Sequence, residues 1–305
     1  MAISRMDLAD FGSPERLAIE IFKNEPELVL PIPIEELCKK LDITNIVPLK
    51  TEGYEGGLIT DKDKYEGIIL FNAGSPAYRQ RFTIAHELGH FLIASHVPSD
   101  KDGFLCSQDD MFKLPEATQR QRARMEVEAN LFASRILMPL PFLRKDVAVG
   151  KSPDLSQIIE LSDRYNVSKE AMCRSYVGLR DEPTAILICL NGKVLRIYKD
   201  DKKFPFITVS SGQVIPKQSS FYQNNVKKDS PSDILDVDAG VWIDVARGHR
   251  SPNFYEQFLI QGAGYSIIML SMDVNVDEEF DPDEKRTSKQ RYEERTSNQS
   301  FGNPP

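Results

Sequence analysis

The chain has 305 residues, 41% of them hydrophobic and 28% charged, a balance that supports a buried core of ordinary globular size. Its net charge of -8 argues against a general affinity for nucleic-acid backbones or anionic membranes. No apolar run reaches bilayer-spanning length, and Met1–Asp10 lacks the apolar core and small-residue cleavage site of a secretion signal.

In chain order, Ser13-Pro14-Glu15 predicts a helix start, with a hydroxyl cap, proline in the first turn and an early acid. Leu17, Ile21 and Phe22 continue it at helical spacing. A second helix is expected after Pro33, carried by Ile34, Leu37 and Leu41. Residues 58–60 and 67–71 flank a charged turn, 61–64, and predict a hairpin. Ser75-Pro76 repeats the capping pattern and launches a helix expected to run to about Ala94. A polar loop follows to about Ala117, then a helix from Arg120 to Met138, stopped by Pro139 and Pro141.

Residues 155–165 and 168–179 pattern as a helix pair resembling a helix-turn-helix. Lys169, Arg174 and Arg180 are offset by Glu170 and Asp181, so DNA binding is not expected and a structural role is. From Thr184 the hydrophobic period changes to two. Strands are expected at 185–190 and 193–198, joined by Asn191-Gly192, and again at 241–245, 254–260 and 265–272. Trp242 reads as a core residue of its strand. From about Asp277 the chain is almost wholly polar and predicts a disordered tail.

His86-Glu87-Leu88-Gly89-His90 carries the chemistry. Two histidines four apart on a helix stand on one face and can point at a single ion, conventionally zinc, which keeps a further position for water. Glu87, beside the first histidine, is placed to take a proton from such a metal-held water as general base and to return it as general acid. A third ligand is needed, and Met125-Glu126-Val127-Glu128-Ala129-Asn130 offers two. Two positions span ~200° around a helix, so only one of them faces the metal. Glu126 is preferred: it shares a face with Ala133, small enough for close helix approach, and with Asn130, a hydrogen-bond partner for a ligand histidine. Glu128 is the alternative, and the loser is expected to be a surface carboxylate paired with Arg124 or Arg135. Zinc is the default ion, and the ligand set tolerates manganese or iron(II).

The remaining signals read as structural. His96, past the expected helix end, reads as a capping or surface residue rather than an extra ligand. His249, in the basic cluster 247–250, reads as part of a solvated turn rather than an oxyanion donor. The four cysteines, Cys38, Cys106, Cys173 and Cys189, form no metal or disulfide spacing and predict reduced thiols in the cytoplasm, with Cys106 the most exposed.

The residues 81–90, the run Glu126-x-x-Ala129-Asn130-x-Phe132-Ala133, residues 136–139, the upstream Gly56-Gly57 and 68–72, and the downstream 165–171 together resemble the ImmA/IrrE family of metallo-endopeptidases, over about residues 15–180. The resemblance implies a zincin-like α+β domain in which the first glutamate of E-x-x-A-N, Glu126, is the third ligand. It also implies a cytoplasmic protease that cleaves a DNA-bound repressor of helix-turn-helix type, in mobile-element or stress-response settings. The expected organisation is a peptidase domain at 1–180 including the helix pair, a smaller β-rich or α+β domain at 181–275 that senses a signal or selects a partner, and a tail at 276–305. A substrate strand is expected to add to an edge near 68–71. The rival expectations are a DNA-associated transcription regulator and a non-catalytic binding partner that keeps the peptidase fold.

Overall fold

The computed structural model describes residues 3–50, 53–97, 104–105, 116–223, 226–245 and 251–273, with the single positions 289, 293 and 296. Cys106, the cluster 247–250 and the rest of the expected tail lie outside the described residues. Two compact units emerge. The first comprises Met1–Lys145 with Leu161–Ala171, and the second Asp146–Glu160 with Met172–Pro305. The fold is mixed α+β, with helices and two separate sheets.

In the first unit, helix α1 (Pro14–Asn24) begins as its sequence predicts: the Ser13 hydroxyl accepts from the Arg16 N–H and Pro14 opens the first turn. Leu17 and Ile21 are fully buried. Helix α2 (Ile34–Lys40) leads into strand β1 (Ile43–Leu49), which the sequence pattern did not announce. β1 alternates poorly and carries Pro48, features tolerated on a sheet edge. Strands β2 (Gly56–Thr60) and β3 (Gly67–Asn72) form the expected antiparallel hairpin, with Leu58 opposite Ile69. β3 also pairs in parallel with β1, and β2 pairs with the two-residue β4 (Phe104–Leu105), giving the order β1-β3-β2-β4. β3 is therefore interior. The expected substrate edge at 68–71 is corrected, because both sides of that strand are already hydrogen-bonded.

Helix α3 (Ala77–Leu92) lies on β2 and β3. Pro76 is its N-cap residue and no side chain caps it, so the Ser75 cap expected from sequence does not form. Ser75 instead offers its carbonyl, with that of Ala73, to the Gln80 side-chain amide. At the other end the Lys64 ammonium, from the turn between β2 and β3, donates to the carbonyls of His90 and Ile93. A cation there satisfies carbonyls that the helix leaves unpaired.

Helix α4 (Glu116–Leu137) packs across α3 and also contacts α1. Gly89 makes the α3–α4 approach close: a methyl group on it would stand 3.3 Å from the Ala129 Cα and 3.0 Å from the Phe132 ring. Phe132, Ala133 and Ile136 are fully buried on the same helix. Pro139 ends α4, but Pro141 does not act as a second stop. It sits in the first turn of α5 (Leu140–Ala148), where its missing N–H costs nothing. Helices α6 (Leu155–Tyr165) and α7 (Lys169–Val177) follow, separated by Asn166 at positive φ.

The second unit is built on an antiparallel sheet of order β6-β5-β9-β8-β7. β5 (Thr184–Leu190) and β6 (Lys193–Lys199) are joined by Asn191 and Gly192, both at positive φ, the geometry of a tight hairpin turn. β7 (Leu235–Asp236), β8 (Phe254–Ile260) and β9 (Tyr265–Met272) complete it. The strand expected at 241–245 is absent. Residues Ala239–Val241 form a 3-10 turn, the Asp238 carboxylate accepts from the Gly240 N–H, and only Ile243 makes a bridge, to Ile207. Trp242 is nonetheless in the core, as expected, and its indole N–H donates to Glu256. Glu256 is itself fully buried and also accepts from the Ser219 hydroxyl and the Phe221 N–H. Among the described residues no helix is long and apolar enough to cross a membrane.

Candidate metal centre

His86 and His90 lie one turn apart on α3, and Glu126 reaches them from α4. The His86 and His90 Nε2 atoms are 3.0 Å apart, and the Glu126 carboxylate oxygens stand 3.2 Å and 3.4 Å from them. Among the described residues these three side chains form the one cluster able to hold a metal ion. All three are at least partly buried, His90 completely.

The donor set fits a divalent cation. Ligand atoms bound at 2.0–2.1 Å around a tetrahedral centre stand about 3.3 Å from one another, and the observed spacings of 3.0–3.4 Å match that edge. The tautomer of His86 fits as well. Its Nδ1 lies 3.0 Å from the Asn130 side-chain oxygen, an acceptor, so Nδ1 carries the proton and Nε2 keeps its lone pair for the cluster.

Glu87 points into the same region. It is buried and its Oε2 has no hydrogen-bond partner among the described residues. Burial pushes its carboxyl up to about 8, against the pull of His86 and with help from the nearby Glu126 charge. A cation in the cluster pulls that value back down. Gly56, at the start of β2, keeps this corner clear. A methyl group there would overlap Thr83 and come within 3.4 Å of Glu87 Oε1. Burial opposes ionisation of Glu126, but in the metal-free site protons on His86 and His90, in the place a bound cation takes, outweigh it by hydrogen bonding and hold the carboxyl well below the usual range.

Glu128 is turned away from the cluster. Its carboxylate accepts from the Arg124 guanidinium at 2.7 Å, the pairing expected from sequence, and lies 3.1 Å from His96 Nε2. His96 corrects the sequence reading: it is neither surface nor cap but completely buried, with Nδ1 3.1 Å from His90 Nδ1. Burial and the neighbouring His90 pull its pKa down to about 4. Spacing along α3 gave no hint of this, because His96 lies beyond the helix, where periodicity ends. Sequence spacing likewise does not mark Gly56 as a neighbour of Glu87. His249 lies outside the described residues.

Residues 38–176 match the peptidase M78 family model, described as an IrrE N-terminal-like domain. That span contains α3, α4 and every residue of the cluster. Residues 38–176 are an ImmA/IrrE-family domain. Within the family, the radiation response metalloprotease IrrE of Deinococcus radiodurans is 28% identical over 133 residues. The aligned segment covers 43% of this chain and 37% of that relative. A solved structure of a Mycobacterium tuberculosis transcriptional regulator superposes with a TM-score of 0.50 at 13% identity, over 88% of this chain and 92% of that one. At that identity the likeness concerns the fold alone.

Proposed function

We propose that the chain is a zinc-dependent endopeptidase that hydrolyses a peptide bond in a regulatory protein, with a helix-turn-helix repressor as the substrate class. The observation that carries the reading is the convergence of His86, His90 and Glu126 beside the Glu87 carboxyl, whose Oε2 has no hydrogen-bond partner among the described residues. The M78 match and the Deinococcus metalloprotease support it.

His86 and His90 through Nε2, and Glu126 through its carboxylate, would hold the ion. A divalent cation held there supplies Lewis acidity, polarising the scissile carbonyl and lowering the pKa of nearby water. Glu87 orients the attacking water by a hydrogen bond and takes its proton as the oxygen adds to the carbonyl carbon. The same carboxyl then gives that proton to the departing amine as the C–N bond breaks. Asn130 keeps His86 in the tautomer this requires. Manganese and iron(II) suit the same two nitrogens and one carboxylate, with zinc preferred.

Cleavage in the cytoplasm agrees with Cys38, Cys173 and Cys189, which are buried and in no disulfide. The strand-rich remainder at 181–275, beyond the family match, is assigned to signal sensing or partner selection. The test is incubation of the zinc-loaded protein with a purified helix-turn-helix repressor encoded beside it. Glu87→Gln keeps bound zinc and slows cleavage by about 10²–10⁴-fold, the usual weight of a general acid–base group. Cleavage by Glu87→Gln at the wild-type rate would remove Glu87 from the mechanism, and zinc-loaded wild type that cuts no such repressor would remove the substrate class.

A further inference from the structure

After α3 ends, the chain folds back through a short turn in which the His96 N–H donates to the Ile93 carbonyl. This brings the His96 ring against His90, with ring centroids 4.9 Å apart. Its two nitrogens then have one neighbour each: Nδ1 faces His90 Nδ1 at 3.1 Å, and Nε2 faces the Glu128 carboxylate at 3.1 Å. Arg124 holds the other Glu128 oxygen at 2.7 Å and keeps that group an anion.

The polarity of this chain of contacts is fixed from its outer end. A carboxylate only accepts, so the His96 Nε2 facing it carries the proton. A neutral His96 then has a bare lone pair on Nδ1. The His90 Nδ1 beside it must donate, which leaves His90 Nε2 unprotonated. That is the nitrogen 3.0 Å from His86 Nε2 and 3.4 Å from Glu126. Asn130 imposes the same tautomer on His86 by a separate route. Both imidazoles are thereby set with lone pairs converging on one point, an arrangement that repels itself unless a cation lies between them.

We propose that His96, anchored by Glu128, is a positioning residue of the metal centre that holds His90 in its Nε2-ligating tautomer and orientation. The proposal rests on the metal-binding reading given above and extends it to a buried His–His–Glu relay on the second histidine. Groups that orient ligand imidazoles in this way carry about 10–100-fold in metal affinity.

The test uses the full chain and measures zinc affinity by competition with a chelator, together with far-UV circular dichroism of the metal-free protein. His96→Leu, similar in bulk but unable to accept, weakens zinc binding by about 10–100-fold. His96→Asn recovers most of that loss, because its side-chain oxygen takes the place of Nδ1. Glu128→Ala gives an intermediate loss. A second readout needs no variant. The chain has only four histidines, so long-range proton–nitrogen spectra of the zinc-loaded protein resolve each ring. His90 is expected with its proton on Nδ1 and His96 with its proton on Nε2. Wild-type affinity in His96→Leu overturns the proposal, as does equal loss in His96→Asn and His96→Leu, or a His96 protonated on Nδ1. If His96→Leu does not fold, Glu128→Ala and the tautomers decide. Failure of the wild-type protein to bind zinc at all overturns the metal reading itself and this relay with it.

Discussion

Glu126 and Glu128 show how much two positions on a helix decide. The ~200° between them sends one carboxylate to the two histidines and the other to His96 and Arg124. Elemental analysis of the purified protein is expected to find stoichiometric zinc in wild type and none in Glu126→Ala. Asn130→Ala, which frees His86 to protonate Nε2, is expected to weaken zinc about 10–100-fold in a chelator competition. Full occupancy in Glu126→Ala would strike Glu126 from the ligand set. At this scale the sequence was legible wherever the helical period governs. The spacing of His86 and His90, and the pairing of Glu126 with Asn130 four residues on, are periodic facts. His96 was not legible, because its position follows from a turn and from tertiary contact with α4, and no local pattern encodes either.

At the scale of elements, the centre depends on how closely α3 and α4 cross. Gly89 lies between the histidines' own turns, and its bare Cα lets Ala129 and Phe132 come near. Gly89→Ala puts a methyl group where the Phe132 ring and the Ala129 backbone already stand, and the helices must part by a few tenths of an ångström to admit it. Overpacking of this kind costs about 1–3 kcal/mol, partly offset by the better helix propensity of alanine. Because Glu126 is on the displaced helix, zinc affinity is expected to fall along with the melting temperature. Gly89→Ala with unchanged affinity would show that the crossing has slack. Proline and strand signals explain the misses here. Pro141 reads as a stop but begins α5, since the same residue suits the end of one helix and the first turn of the next. β1 escaped notice because an edge strand buries little and so alternates weakly, and the strand expected around Trp242 is an irregular segment whose buried indole is fixed by Glu256. That same hidden β1 is what makes β3 interior and removes it as a place for substrate to add.

At the scale of the whole molecule, every residue of the proposed chemistry belongs to the first unit: His86, Glu87, His90, His96, Glu126 and Glu128 all fall within Met1–Lys145. The second unit has its own sheet and its own core, with Trp242, Phe254 and Phe258 fully buried. The site is therefore assembled from segments far apart in sequence, His86 and His90 on one helix and Glu126 on another, and the unfolded chain does not present them together. A cation that binds only the folded arrangement must stabilise it by mass action, by about 2.7 kcal/mol when free metal is a hundredfold above its dissociation constant. The unliganded state carries the opposing cost of burying Glu87, whose carboxyl is pushed up to about 8 by desolvation. Thermal melts followed by far-UV circular dichroism are thus expected to shift upward with added zinc, in proportion to the logarithm of its free concentration, and to fall back with chelator. In Glu126→Ala the dependence on zinc should vanish and the metal-free melt should fall, because the contacts that hold the Glu126 carboxyl below its usual range favour its ionised form in the folded chain and are lost with it. A melt in wild type that ignores zinc across this range would mean that the three side chains converge for packing alone.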